Sequence, residues 1–235
     1  MRLAFVLLLA VISAAPQSPP TPKETLVQKL LRIAGLTAAP SQMRAPGDPQ
    51  SGDIWIAAVE GGMARPLTSD GGYRSPLFGP ADAFVYALRD EVVVRLPVAG
   101  GTAVPQARVP GVLKLVGFDG ADDLIVLTAA QPPASPLGQL SIMSGRLTPL
   151  PHDPESAEER RMIAFVRGDE RVYGDTRVYT RTETRRGAVR TTEWTDVYVA
   201  SGAAAPVNVS ACQGVDCSAP ALSRDGRQIA YVKAR

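Results

Sequence analysis

The side chains that could do chemistry are few, and their spacing limits what they can do. The chain holds one histidine, His152, in the proline-flanked segment Leu150-Pro151-His152-Asp153-Pro154. A Ser-His-Asp set therefore has a single candidate base, and the setting of His152 reads as a solvated loop. No glycine-rich phosphate loop, HExxH or CxxC pattern occurs in the sequence. Asp119-Gly120, Asp225-Gly226 and Asp169-Glu170 read as hairpin turns. A calcium loop would need several more oxygen ligands in one segment. No catalytic, cofactor-binding or metal-binding residue is expected. The two cysteines, Cys212 and Cys217, enclose the short loop Gln-Gly-Val-Asp. Zinc usually takes four ligands of the Cys/His kind, so the pair reads as a local disulfide.

One basic cluster remains. Residues 176–190 hold five Arg and one Glu, a local charge of +4. The segment Thr176-Arg177-Val178-Tyr179-Thr180-Arg181-Thr182-Glu183-Thr184 is followed by Arg185-Arg186-Gly187 and then by a second Thr-rich run to Trp194. Thr, Tyr and Val favour strands, so residues 168–195 are expected to form a projecting β-hairpin arm with its turn near Arg186-Gly187. Period-two alternation puts Arg177, Tyr179, Arg181, Glu183 and Arg185 on one face. Arg and Tyr are residues that interfaces favour. The expected partner-binding set is Arg177, Tyr179, Arg181, Arg185, Arg186 and Arg190. The competing view is a solvated arm kept soluble by its charges.

What positions the arm is a repeat of short strands. The phrases Phe84-Val85-Tyr86-Ala87, Leu124-Ile125-Val126-Leu127, Ile163-Ala164-Phe165-Val166 and Ile229-Ala230-Tyr231-Val232 recur at spacings of 40, 39 and 66 residues. The last interval carries about 27 extra residues, and the arm lies within it. A strand repeat near 40 residues is the mark of a β-propeller. Strands are expected at 53–59, 83–88, 91–98, 112–118, 123–128, 139–143, 162–167 and 196–200, with weaker ones at 64–68, 102–108, 146–150 and 205–209.

An Asp53-Ile54-Trp55-type strand, the Gly61-Gly62 turn, Leu67-Thr68, Ser75-Pro76 and an Asp-Gly hairpin such as Asp225-Gly226 make up one unit. This pattern resembles the TolB-type, WD40-like β-propeller repeat over about residues 52–235. The resemblance implies an all-β propeller of about four blades. The repeat opens at the third strand of a blade and ends on the first two, so residues 53–68 should pair with 219–233 and complete one blade from both ends. Most relatives of this type have six blades, and some peptidases carry such a propeller beside a hydrolase domain. A chain of 235 residues leaves no room for that domain, so independent catalysis is not expected.

Ahead of the repeat, Arg2, the apolar run Leu3 to Ile12 and Ser13-Ala14-Ala15 read as a secretory signal peptide over 1–15. The apolar run is too short to span a bilayer. Residues 16–51 read as a linker holding one short α-helix. Thr21 is its candidate cap, with Pro22 and Glu24 in the first turn, and Leu26, Val27, Leu30, Leu31, Ile33 and Ala34 form its apolar stripe up to Gly35. The helix should pack across one end of the propeller. The net charge of +2 implies no general attraction to nucleic acid or membrane. The reading is an exported, periplasmic or secreted, non-catalytic propeller that binds a protein or an anionic envelope component through the arm. The alternative is small-molecule or carbohydrate binding at the mouth of the propeller channel.

Overall fold

The computed structural model describes residues 24–36, 51–130, 134–188 and 190–235. The expected signal peptide, Thr21 and Pro22 lie outside them. The first described elements are α1 (Leu26–Ala34), β1 (Asp53–Ala58), β2 (Arg65–Pro66), β3 (Tyr73–Phe78), β4 (Phe84–Arg89), β5 (Val92–Pro97) and β6 (Val104–Arg108). Then come β7 (Val112–Phe118), β8 (Asp123–Thr128), β9 (Leu137–Ser141), β10 (Leu147–Pro149) and α2 (Ala157–Arg167). The last elements are β11 (Arg171–Tyr173), β12 (Thr176–Arg186), β13 (Thr191–Ser201), β14 (Val207–Asn208), β15 (Cys217–Leu222) and β16 (Gln228–Lys233).

The described strands form four antiparallel sheets of four: β3-β4-β5-β6, β7-β8-β9-β10, β11-β12-β13-β14 and β15-β16-β1-β2. This is the expected small all-β propeller, one sheet to a blade. Its fourth blade joins both ends of the repeat, with Asp53 opposite Lys233 through to Ala58 opposite Gln228. Gly52 permits the join. It bridges to Tyr73 through two backbone hydrogen bonds of 2.9 Å, and a Cβ there would collide with the Lys233 carbonyl. The first strand of each blade lies innermost: β3 packs against β7 and β15, and β15 against β11.

Four apolar clusters fill the four seams between blades. Leu88 and Val93 meet Leu115, Leu124 and Leu140 between the first and second blades. Ile54, Ala230 and Val232 meet Val85, Ala87 and Leu96 between the fourth and first. Val178, Val197 and Val199 meet Leu222, Ile229 and Tyr231 between the third and fourth. The remaining seam, between the second and third blades, is filled by helices. Leu26, Val27 and Leu30 of α1 and Met162, Ile163, Phe165 and Val166 of α2 pack there on Ile125, Leu127 and Leu137.

Two expectations are corrected here. The strand over 162–167 is helical, and the Ile163-Ala164-Phe165-Val166 phrase is not a blade strand; the second strand of the third blade is β12. Ser156 caps α2 by accepting from the Glu159 N–H at 3.3 Å, and Glu158 and Glu159 sit in the first turn. Acidic side chains there complement the helix dipole, and Ala-Glu-Glu-Arg-Arg-Met is strongly helix-forming. Helix α1 also starts later than expected. Its cap is Thr25, whose hydroxyl accepts from Gln28 N–H at 3.2 Å while the Gln28 side chain accepts from Thr25 N–H at 2.9 Å. Gly35 ends it in the left-handed conformation, as expected.

The third and fourth blades share one device. Asp53 accepts from the Thr68 hydroxyl and Gly71 N–H, and Thr68 in turn accepts from Ile54 N–H. Asp196 accepts from the Ser210 hydroxyl at 3.0 Å and Cys212 N–H at 2.6 Å, and Ser210 accepts from Val197 N–H. In both blades a carboxylate fastens the short outer strand and the connection that leaves it. In the third blade that connection carries the expected Cys212–Cys217 disulfide, with both residues buried. Replacing both cysteines by Ala should leave the fold intact and lower stability by less than the ~3 kcal/mol of a 15-residue loop. Denaturant unfolding checks this; loss of a cooperative transition would contradict it.

Candidate functional site

The arm is where the third blade outgrows its neighbours. Strands β12 and β13 pair from Thr176 opposite Ser201 to Arg186 opposite Thr191. Their flanking strands are short: β11 pairs only with Thr176–Val178, and β14 only with Tyr198 and Val199. Val178, Val197 and Val199 hold the base of the hairpin in the core. Beyond Glu183 and Trp194 the strand side chains are Thr, Arg and Glu, so the end of the ladder has no apolar face to bury.

The six expected contact residues fall into two groups. Arg177 binds Glu170 at 2.7 Å and lies over the Tyr179 ring, 5.5 Å from its centroid. Arg181 donates to Glu183 at 2.8 Å and to the Tyr198 hydroxyl at 2.6 Å, with its guanidinium 3.9 Å from the Tyr198 ring centroid. The Tyr198 hydroxyl donates to Glu183 at 2.5 Å, and the Tyr179 and Tyr198 rings stack with centroids 6.1 Å apart. Tyr198 and Arg181 together hold the Glu183 carboxyl below its usual range, while burial pushes the Tyr198 hydroxyl up. Arg177, Tyr179 and Arg181 are therefore built into a neutralised cation–aromatic ladder. Arg185, Arg186 and Arg190 are exposed, and no hydrogen bond or ion pair reaches their side chains among the described residues. The unneutralised charge is at the tip.

The channel offers a second concavity. Leu77 and Phe78 of β3, Val116, Gly117 and Phe118 of β7, Tyr173 of β11 and Leu222 of β15 line a cavity of about 640 Å³ at one mouth. Helix α1 leans over it. Ile33 presses on Gly117, where any Cβ would overlap its side chain. The rim charges are mostly engaged. Asp119 binds Lys29 at 2.5 Å and Arg32 at 2.9 Å, and Arg32 also holds Glu24. Burial would raise the Asp119 carboxyl, but these two cations outweigh it and keep it below its usual range. Asp82 accepts from the N–H groups of Arg224 and Asp225 at 2.7 and 2.9 Å.

Two buried groups were not expected. Lys114 of β7 donates to the Gly168 carbonyl at 2.5 Å and lies 3.6 Å from Asp169. It links β7 to the segment entering β11, across the seam that the helices fill. Burial, with Arg171 adding to it, pushes its ammonium down to about 7, against the pull of Asp169. No sequence signal marked it, since a lysine within an apolar strand reads as outward-facing. His152 is also corrected: its side chain is 7% exposed, with Nδ1 3.6 Å from Glu159. It lines a cavity of about 350 Å³ between the N-terminus of α1 and α2.

No protein-family model and no curated protein matches this chain. Among solved structures it is similar to a TolB candidate from Agrobacterium tumefaciens, at 14% identity and a TM-score of 0.35. That match covers 77% of this chain and 60% of the other. It is also similar to the apo form of AtxE2 isopeptidase, at 18% identity and a TM-score of 0.30, covering 59% of this chain and 20% of the isopeptidase. The chain thus matches less than two thirds of either structure's length. Among the described residues no helix is long and apolar enough to cross a membrane.

Lys114 carries a pH signature. Its folded value of about 7 lies below the ordinary 10.5, so the unfolded chain takes up a proton between those values and stability falls as the pH drops through that window. The full cost persists below about 7. Lys114→Met removes it, and Gly168 keeps the Arg171 donor at 3.0 Å. The variant should raise Tm most at pH 6–7, with the gain fading towards pH 10 in thermal scans. An equal shift at every pH would contradict burial as the cause.

Proposed function

We propose that this protein is an exported, non-catalytic β-propeller that binds a protein or an anionic envelope component through the tip of its third-blade arm. The observation that carries the reading is the contrast along the arm. Arg177 and Arg181 have built-in carboxylate partners, whereas Arg185, Arg186 and Arg190, at the end of the β12–β13 ladder, have none among the described residues. Arg presents a planar fork that matches carboxylate and phosphate oxygens in pairs. Export is supported by the disulfide, a bond typical of oxidising compartments, and by the leader-like sequence over 1–15.

The channel mouth supports a second reading, binding of a small molecule or carbohydrate, through its cavity of about 640 Å³. Its polar rim is largely occupied by the contacts that hold α1 and the hairpins. The arm has no such internal duty at its tip.

The variant Arg185→Ser/Arg186→Ser/Arg190→Ser should keep the wild-type Tm, because none of the three side chains makes a hydrogen bond or ion pair among the described residues. Its capture of partners from a solubilised envelope extract of the host should fall about tenfold or more at low salt, since one hydrogen bond to a charged group contributes roughly 1.5–3 kcal/mol. Wild-type capture should itself weaken as salt shortens the screening length. Undiminished capture by the triple variant would refute the arm's role and favour the channel mouth.

A further inference from the structure

The backbone of the arm is as informative as its side chains. Gly187 N–H donates to Arg190 O at 2.9 Å, and Gly202 N–H donates to Asp175 O at 3.1 Å. In an antiparallel ladder these bonds set the parity: odd-numbered residues of β12 bond to β13, and even-numbered ones turn their N–H and C=O groups away. Thr176 and Val178 meet Tyr173 and Arg171 of β11. Further out, the backbone groups of Thr182, Thr184 and Arg186 face away from β13 with no hydrogen-bond partner among the described residues.

The opposite edge is closed at Thr195 and Val197. Thr195 N–H donates to Asp216, Val197 N–H donates to Ser210, and Val197 O accepts from Val209 N–H. The open edge has a structural origin. If the β11 register, Arg171 opposite Val178, ran on towards the tip, residues 163–167 would lie opposite Arg186 to Thr182. Those residues leave the sheet as α2 instead. Among the described residues no strand pairs with β12 from Thr182 to Arg186.

We propose that the arm takes its partner by strand addition: an extended acidic segment of another protein pairs antiparallel with β12 from Thr182 to Arg186, in line with β11. This rests on the arm being the binding surface, and it specifies the form the partner takes. Exposed Thr-rich strands suit pairing, and strand addition draws affinity from main-chain bonds and specificity from alternate side chains. The charges select the occupant. Arg181 and Arg185 lie on one face and Arg186 on the other, so an added strand meets cations on both of its faces. Two copies of this edge carry the same net positive charge, which opposes self-pairing. An acidic strand meets complementary charge, with its favoured carboxylates opposite Arg185 and Arg186.

The test uses the full chain and the capped peptide acetyl-Glu-Glu-Val-Thr-Val-Glu-amide, whose first two glutamates lie opposite Arg186 and Arg185 in antiparallel register. A second peptide carries N-methyl groups on both valines, which face Thr184 and Thr182, so it keeps the charge and loses two backbone donors. Fluorescence anisotropy of labelled peptides at low salt should show the parent binding about tenfold or more tighter than the N-methylated form. Amide hydrogen exchange at Thr182, Thr184 and Arg186 should slow on binding the parent alone. Equal binding by the two peptides would overturn strand addition and leave the arm as a surface that reads charge. If neither peptide binds while the triple arginine variant still loses envelope capture, strand addition fails and the arm reading stands. If that capture is also undiminished, both fail.

Discussion

The antiparallel ladder between β1 and β16 brings the two ends of the propeller into one sheet, and both faces of that sheet are apolar. Ile54, Ile56, Ala230 and Val232 face the first blade, while Ala57, Ile229 and Tyr231 face the third. A sheet that is apolar on both sides must be covered on both sides, and a ring of such sheets is covered only when it closes. Without the β1–β16 pairing, two strand edges and two core faces would meet water, and open edges of this kind invite aggregation. The Gly52–Tyr73 bridge and the carboxylate pins at Asp53 and Asp196 secure the joins on either side of the closing blade.

Closure leaves one seam unlike the others. Three are sheet against sheet, and the seam between the second and third blades is filled by α1 and α2. The consequences spread from there. Lys114 crosses this seam and is buried deeply enough to lose most of its preference for the charged state. Because residues 157–167 coil into α2, β11 has only three residues, and among the described residues no strand pairs with β12 from Thr182 to Arg186. The exposed arm thus follows from how this seam is filled.

The sequence made the architecture readable at its ends, where Asp53-Ile54-Trp55 and Ile229-Ala230-Tyr231 match the same repeat unit and demand closure. It misled in the middle. Ile163-Ala164-Phe165-Val166 is a short apolar run, and such a run fits a buried strand or a buried helix face equally well. The deciding signal lay upstream, in Ser156 with Glu158 and Glu159. The arm's hairpin and turn were readable from alternation and Gly187. The neutralisation of Arg181 by Glu183 and Tyr198 was not, because Tyr198 is brought beside Arg181 only by the β12–β13 register. Likewise Glu170 reaches Arg177 through the β11–β12 turn, and the burial of His152 depends on α1 docking from a distant part of the chain.

Ring closure can be tested with one cross-link. Val59 N–H donates to Arg227 O at 2.9 Å, so the adjacent facing pair, Ala58 and Gln228, is a non-hydrogen-bonded pair. The Cα atoms of such pairs lie about 4.5 Å apart, within disulfide range. Ala58→Cys/Gln228→Cys, purified without reductant and analysed by intact and peptide mass spectrometry, should be a monomer carrying a second internal disulfide that links the 58 and 228 peptides. Free thiols at both positions, or cross-linked dimers in place of the internal bond, would contradict the closed ring.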